Sequence, residues 1–279
     1  SRKQSGDGSG NACTNSKSKI NMISPKADVH PDAKIGNNVR IESFAFVEAD
    51  VEIGDNTWIG PHAVVMNGAR IGKNCQIFPG AVISAIPQDL KFSGEDTTAI
   101  IGDHTTVREY VTINRGTRDK HTTRVGSHCL LMAYVHIAHD CILGNHIILA
   151  NSVNLAGHVE IEDYAILEGL VAVQQFVKIG AHSFVTGGSL VRKNVPPYVK
   201  AAREPLSYVG INSVGLRRRG FSNESILQIE DIYRTIYVKG YNVTNALNIV
   251  EMESPAGEEK NTIIRFIKES TNGIMRGVM

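Results

Sequence analysis

The sequence predicts a mainly β fold: a parallel β-helix of hexapeptide repeats followed by a C-terminal α-helical domain. Three observations predict it. Steps of six residues from Ile23 to Val191 meet Ile, Leu or Val at 26 of 29 positions, the exceptions being Asp89, Glu95 and Asp119. The fifth residue of each hexad is mostly small, as at Ala27, Ala45, Ala63, Cys75, Cys129, Cys141 and Ala165. After Val195-Pro196-Pro197 this period stops and apolar residues recur at helical spacing. A period of six fits neither the 3.6 of a helix nor the alternation of a strand. It fits short flat strands joined by turns, three hexads to a triangular coil, with coils stacked at roughly the 4.8 Å strand spacing.

The elements follow in order. Residues 1–21 are rich in Ser, Gly, Asn and Lys and lack the apolar stretch of a signal peptide. They read as a disordered tail or an expression scar, with Met22 as the expected native start. Residues 22–197 form the prism, its aliphatic first positions and small fifth positions pointing inward. Gly at the second position (Gly36, Gly54, Gly72, Gly126, Gly144) suits the bends at the corners. Two segments, 89–100 and 118–124, are polar and off the period. They are expected to loop out of the prism, where solenoids carry function. Residues 198–279 form the helical domain, which can cap an open end of the solenoid. Within it, 222–240 places Ile226, Ile229, Ile232, Tyr233 and Ile236 on one helical face, with Ser222 as N-cap. Segments 242–253 and 258–270 read as two further helices.

Composition narrows the function. The net charge is +1, which offers no general basic surface for nucleic acid. No apolar run approaches the roughly 20 residues of a membrane span. The four cysteines, at 13, 75, 129 and 141, form no CxxC pair, and a reducing compartment is expected. Three of them fall on the small inward position and read as packed core thiols.

Residues 136–141, His-Ile-Ala-His-Asp-Cys, are the densest cluster of reactive side chains. The period assigns Ile137 and Cys141 to the core. His136 and His139 fall on wall positions and are expected to straddle a corner. Residues three hexads apart stack on neighbouring coils, so His139 shares a column with Gly157 and Gln175, and Asp140 shares one with His158 and Phe176. If 119–124 loops out, Asn114 and Arg115 come beside Ala138 and His139. Three readings compete for this patch: chance surface polarity, a metal site of three histidines, and a general base, His139, held by Asp140 or a backbone carbonyl. The polar excursions beside it favour the base.

At this point specific segments carry a resemblance. QDLKF (88–92), VTINRGT (111–117), HIAHDC (136–141), NLAGHV (154–159), VPPYV (195–199) and GLRRRGFS (215–222) resemble those of the UDP-N-acetylglucosamine O-acyltransferases, which are hexapeptide-repeat acyltransferases with a left-handed coil. The resemblance runs from Met22 to Met279. It implies a cytoplasmic homotrimer with active sites between adjacent prisms, acting in lipid A biosynthesis. It implies an acyl carrier protein thioester as donor and UDP-N-acetylglucosamine as acceptor, with phosphopantetheine on the carrier and no cofactor on the enzyme itself. It gives His139 as general base, Asp140 as its orienting partner and the Gly157 N–H as oxyanion donor. It places His136, His158, Gln175, Gln88, Asp89, Lys91, Asn212, Arg218 and Arg219 on the substrates, with Asp89 and Lys91 reaching in from a neighbouring subunit. It places Gly187 where a side chain would limit acyl length. Asn114 and Gln174 stand where many relatives have histidine, and neither titrates near neutrality.

Overall fold

The computed structural model describes residues 21–277; Cys13 and the other residues of 1–20 in the expected N-terminal tail lie outside the described residues. Three sheets form the walls of a prism, with eleven, nine and eight strands among the described residues. Leu130–Leu131 and Ile148–Leu149 pair in the first wall, His136–Ile137 and Asn154–Leu155 in the second, and Ile142–Leu143 and Glu160–Ile161 in the third. Most strands have two residues because each hexad gives its other four to a corner. In the plain coils the parallel register steps by three hexads, as in His136↔Asn154.

The first and fifth positions fill the prism. Ile59, Ile77, Leu131, Ile137 and Leu149 are fully buried, and so are Ala45, Ala63, Cys75 and Cys141. Burial pushes the Cys75 and Cys129 thiols up to about 11 and that of Cys141 to about 12, so they remain protonated core groups. The Cys141 thiol donates to Ala156 O at 3.1 Å.

The fourth position of the hexad carries a signal that the apolar period does not. There the backbone turns left-handed, with φ of 57° at Asn38, 58° at His104, 59° at Asp140 and 62° at His158. Asn, Asp and His are among the side chains that enter this region most readily. The corners therefore select short polar and ring side chains, and Asp140 and His158 both occupy such corners.

Both excursions leave the prism at one edge, between the second and third walls. Thr112 pairs back to Val82 and forward to His136, and each step is longer than the plain coil from His136 to Asn154. The expected loops are shorter than the sequence suggests. Thr98–Ile101 and Thr122–Val125 are paired strands of the third wall, so residues 98–100 and 122–124 belong to the prism. Ala99 and Thr123 lie side by side in the register and are fully buried, which draws both segments back into the wall.

Strands also continue past the expected boundary at 197. Val199–Ala202 extends the first wall in parallel and turns back on Ser207–Ile211 in antiparallel. A short helix without a periodic trace in the sequence, α1 (Ser213–Arg218), follows. Next come α2 (Asn223–Tyr237), α3 (Val243–Glu253) and α4 (Glu258–Lys268). Ser222 and Asn242 cap α2 and α3 by accepting the N–H of Ser225 and Asn245. Buried Tyr233 donates its hydroxyl to Pro197 O at 2.6 Å and ties α2 to the end of the prism.

Candidate active site

The site forms where the two excursions meet the edge at His139. His136 lies on a strand of the second wall, and His139 and Asp140 form the corner that follows. His136 Nδ1 contacts Thr112 Oγ1 at 2.7 Å, and burial holds its pKa below the ordinary histidine value. His139 is 6% exposed and Asp140 is fully buried. They are covered by the excursions rather than packed in the prism interior.

Asp140 is the most heavily bonded carboxylate of the site. Its Oδ2 lies 2.8 Å from His139 Nδ1 and 2.7 Å from the Thr117 hydroxyl. Its Oδ1 accepts the N–H of Thr117 at 3.0 Å and of Lys120 at 3.3 Å. Burial alone would raise the Asp140 pKa, but the bonds from Thr117 and His139 outweigh it and hold the carboxyl below its ordinary value. The second excursion is itself anchored, since Lys120 Nζ donates to Glu160 Oε1 at 2.9 Å.

Gly157 completes the pocket. A Cβ built on it would lie 2.7 Å from His139 Nε2 and 3.1 Å from Gln175 Nε2. The column His139–Gly157–Gln175 expected from the three-hexad spacing is therefore present, and glycine is required where the imidazole approaches its backbone. The neighbouring column is present as well. The amide of His158 donates to His139 O at 3.0 Å, and its ring stacks on Phe176 at 4.6 Å. His158 Nδ1 lies 3.3 Å from an Asp119 carboxylate oxygen but off-line, without a hydrogen bond. Burial lowers the His158 pKa against the opposing pull of Asp140.

Asp89 and Lys91 line a cleft of about 250 Å³ with Thr117, Asp119, His158 and Phe176. They reach this cleft within one chain, whereas the resemblance implies that a neighbouring subunit supplies them. Gln88, Gln174 and Gln175 are exposed beside it. Asn114 is buried, with its amide donating to Ile86 O at 3.1 Å, so it braces the first excursion and does not join the open patch.

The remaining expected residues lie elsewhere. Arg219 donates to Tyr164 O and stacks over the Tyr164 ring on the edge between the third and first walls, and Arg218 is exposed beside it at the end of α1. Asn212 caps α1 through Gly215 N and donates to His182 O at 2.9 Å. Both side-chain atoms of Asn212 therefore also bond within the fold. Gly187 is exposed on the edge between the first and second walls, where its amide donates to Glu168 Oε2 and a Cβ would lie 3.1 Å from Gly169 O.

The ligand atoms of His139, Asp140 and His158 lie within 4.8 Å of one another, close enough for a metal ion. Asp140 is however surrounded by N–H and O–H donors, which suit an orienting carboxylate better than a cation ligand. A buried carboxylate, an imidazole bonded to it through one nitrogen, and a glycine backbone beside the other nitrogen define a candidate base site on a hexapeptide-repeat prism.

Comparison with known proteins gives the family. Residues 50–85 and 122–157 match the bacterial transferase hexapeptide family. Residues 194–275 match the second domain of the UDP-N-acetylglucosamine O-acyltransferases. The chain is 45% identical over 262 residues to the acyl-(acyl-carrier-protein)–UDP-N-acetylglucosamine O-acyltransferase of Janthinobacterium sp. (strain Marseille), covering 92% of this chain and 100% of the relative. It superposes on a UDP-N-acetylglucosamine acyltransferase from Bacteroides fragilis with TM-score 0.91 at 51% identity, covering 91% and 100% of the two chains. The Francisella novicida UDP-N-acetylglucosamine acyltransferase gives 0.89 at 39% identity, covering 91% and 94%. The chain belongs to the UDP-N-acetylglucosamine O-acyltransferase family and is an acyltransferase with that family's left-handed β-helix. Among the described residues no helix is long and apolar enough to cross a membrane.

Proposed function

We propose that this enzyme transfers an (R)-3-hydroxyacyl chain from acyl carrier protein to the 3-hydroxyl of UDP-N-acetylglucosamine, as the first step of lipid A biosynthesis in the cytoplasm. The observation that carries the mechanism is the contact of His139 Nδ1 with buried Asp140 at 2.8 Å, which leaves Nε2 facing the Gly157 backbone. The similarity to acyl-(acyl-carrier-protein)–UDP-N-acetylglucosamine O-acyltransferases supports the substrates.

In this mechanism His139 Nε2 takes the proton of the sugar 3-hydroxyl as its oxygen attacks the thioester carbonyl carbon. The Gly157 N–H stabilises the oxyanion of the tetrahedral intermediate. Collapse breaks the carbon–sulfur bond, and the imidazolium returns its proton to the phosphopantetheine thiolate. A positioned base supplies about 10²–10⁴-fold, and an oxyanion donor about 10²–10³-fold. Asp89 and Lys91 hold the acceptor sugar, with Gln88 beside them, while His136, His158 and Gln175 line its approach. Arg218 and Arg219 lie on a different edge of the prism. They meet the nucleotide or phosphopantetheine phosphates only if a second copy presents that edge, which is the role of the proposed homotrimer. Gly187 leaves space for a long acyl chain.

The test is a panel of 3-hydroxyacyl carrier proteins assayed with UDP-N-acetylglucosamine, with the ester position read by NMR. One preferred chain length and an ester on O3 are expected. No transfer from any carrier, or an ester on another oxygen, would overturn the assignment.

A further inference from the structure

We infer that Thr117, in the second excursion, is a positioning residue that fixes the tautomer of His139. The inference rests on the reading of His139 as the base and follows from counting protons around Asp140. The N–H groups of Thr117 and Lys120 can only donate, and both point at Oδ1, at 3.0 and 3.3 Å. The Thr117 hydroxyl has one proton and accepts the N–H of Asp119 at 3.3 Å. Its own proton therefore goes to Asp140 Oδ2, at 2.7 Å. With these three donors directed at it, the carboxylate acts as an acceptor to His139 as well. His139 Nδ1 must then carry the hydrogen in the 2.8 Å contact, and Nε2 is left with a free lone pair beside Gly157.

Geometry reinforces the proton count. Thr117 and His139 share the same carboxylate oxygen, so the threonine hydroxyl pins the oxygen to which the imidazole aligns. The loop that presents Thr117 is closed on itself by His121 N–H donating to Thr117 O at 2.8 Å, and Lys120 ties it to Glu160 of the third wall. Thr117 is 7% exposed and needs no contact with substrate for this role.

Two measurements test it. Neutron diffraction of the substrate-free wild-type protein should place a deuteron on His139 Nδ1, whereas density on Nε2 alone would overturn the inference whatever the enzyme transfers. Steady-state kinetics then compare Thr117→Val, which keeps the shape and backbone N–H but removes the hydroxyl, with Thr117→Ser, which restores it. The valine variant is expected to lose about tenfold or more in kcat, with KM for both substrates within about twofold, a loss typical of an outer-shell orienting partner. The serine variant is expected to keep kcat within about twofold of wild type. Wild-type kcat in the valine variant, or equal damage in both, counts against Thr117. Should wild type transfer no acyl group at all, the transferase reading fails, and the neutron result still decides the tautomer.

Discussion

Two edges of the prism carry groups of corner histidines, and they are built differently. On the edge between the third and first walls, His104, His128, His146, Tyr164, His182 and Tyr198 stack ring on ring, with centroids 4.5–5.6 Å apart. Neighbouring planes tilt by only 4° and 7° at the exposed end. On the edge between the second and third walls the ladder is broken. His139 and His158 meet edge-on at 88°, Gly157 removes the side chain from the column, and two excursions close over the gap. Histidines in the continuous ladder serve as each other's packing. In the broken one an imidazole has a carboxylate on one nitrogen and the side-chain-free backbone of Gly157 beside the other. Under the proposed function, the interruption of the repeat is what sets His139 apart from the histidines of the ladder.

The comparison can be broken most directly by truncation on each edge. His139→Ala is expected to lower kcat by about 10²–10⁴-fold, and His146→Ala to leave the transfer rate within about twofold, both measured in the same assay. Equal losses would erase the distinction between the edges. Gly157→Ala asks whether the break in the column matters. Its methyl would lie 2.6 Å from His139 Cε1, so the ring must move. A loss of about 10² in kcat with an unchanged unfolding midpoint is expected.

Smaller effects sharpen the structural edge. His146 stacks on His128 at 4.9 Å and Tyr164 at 4.5 Å, so His146→Ala should cost about 1 kcal/mol in urea unfolding. Half-buried His182 has its pKa pushed down to about 4, by burial first and by the Arg219 charge second. Its folded pKa is lower than its unfolded one, so between pH 6.5 and 4 the unfolded chain binds a proton that the folded chain refuses. Stability should therefore fall as the pH drops through that window. His182→Phe keeps the ring and removes the titration, so its Tm should fall less across the same window than that of wild type.

The sequence made one edge far more legible than the other. The six-residue period placed Ile137 and Cys141 inward, put His139, Gly157 and Gln175 in one column, and marked both excursions by Asp89, Glu95 and Asp119. It could do so because stacking turns a fixed spacing into a contact. The histidine ladder was missed although His104, His128, His146 and His182 all share the fourth position. Their signal is a backbone conformation, φ of 56–58°, and not an apolar pattern. Thr117 was hidden for another reason. Its bonds to Asp140 depend on how the second excursion folds on itself, and no period reaches that segment. The capping bond of Asn212 was not visible because helix α1 is too short to leave a periodic trace.

The two excursions also bear on how this chain can change length. They lengthen their coils by two hexads and by one, yet the ladder closes after each with every aliphatic side chain still turned inward. That edge works as a splice site: what is inserted there is not read by the wall. Deleting one residue near Arg118 would shorten a loop, whereas deleting one near Asn145 would put every later hexad out of frame and set Ala150 where Leu149 belongs. New chemistry can therefore be added to this fold at one edge, by insertion, without rewriting the rest.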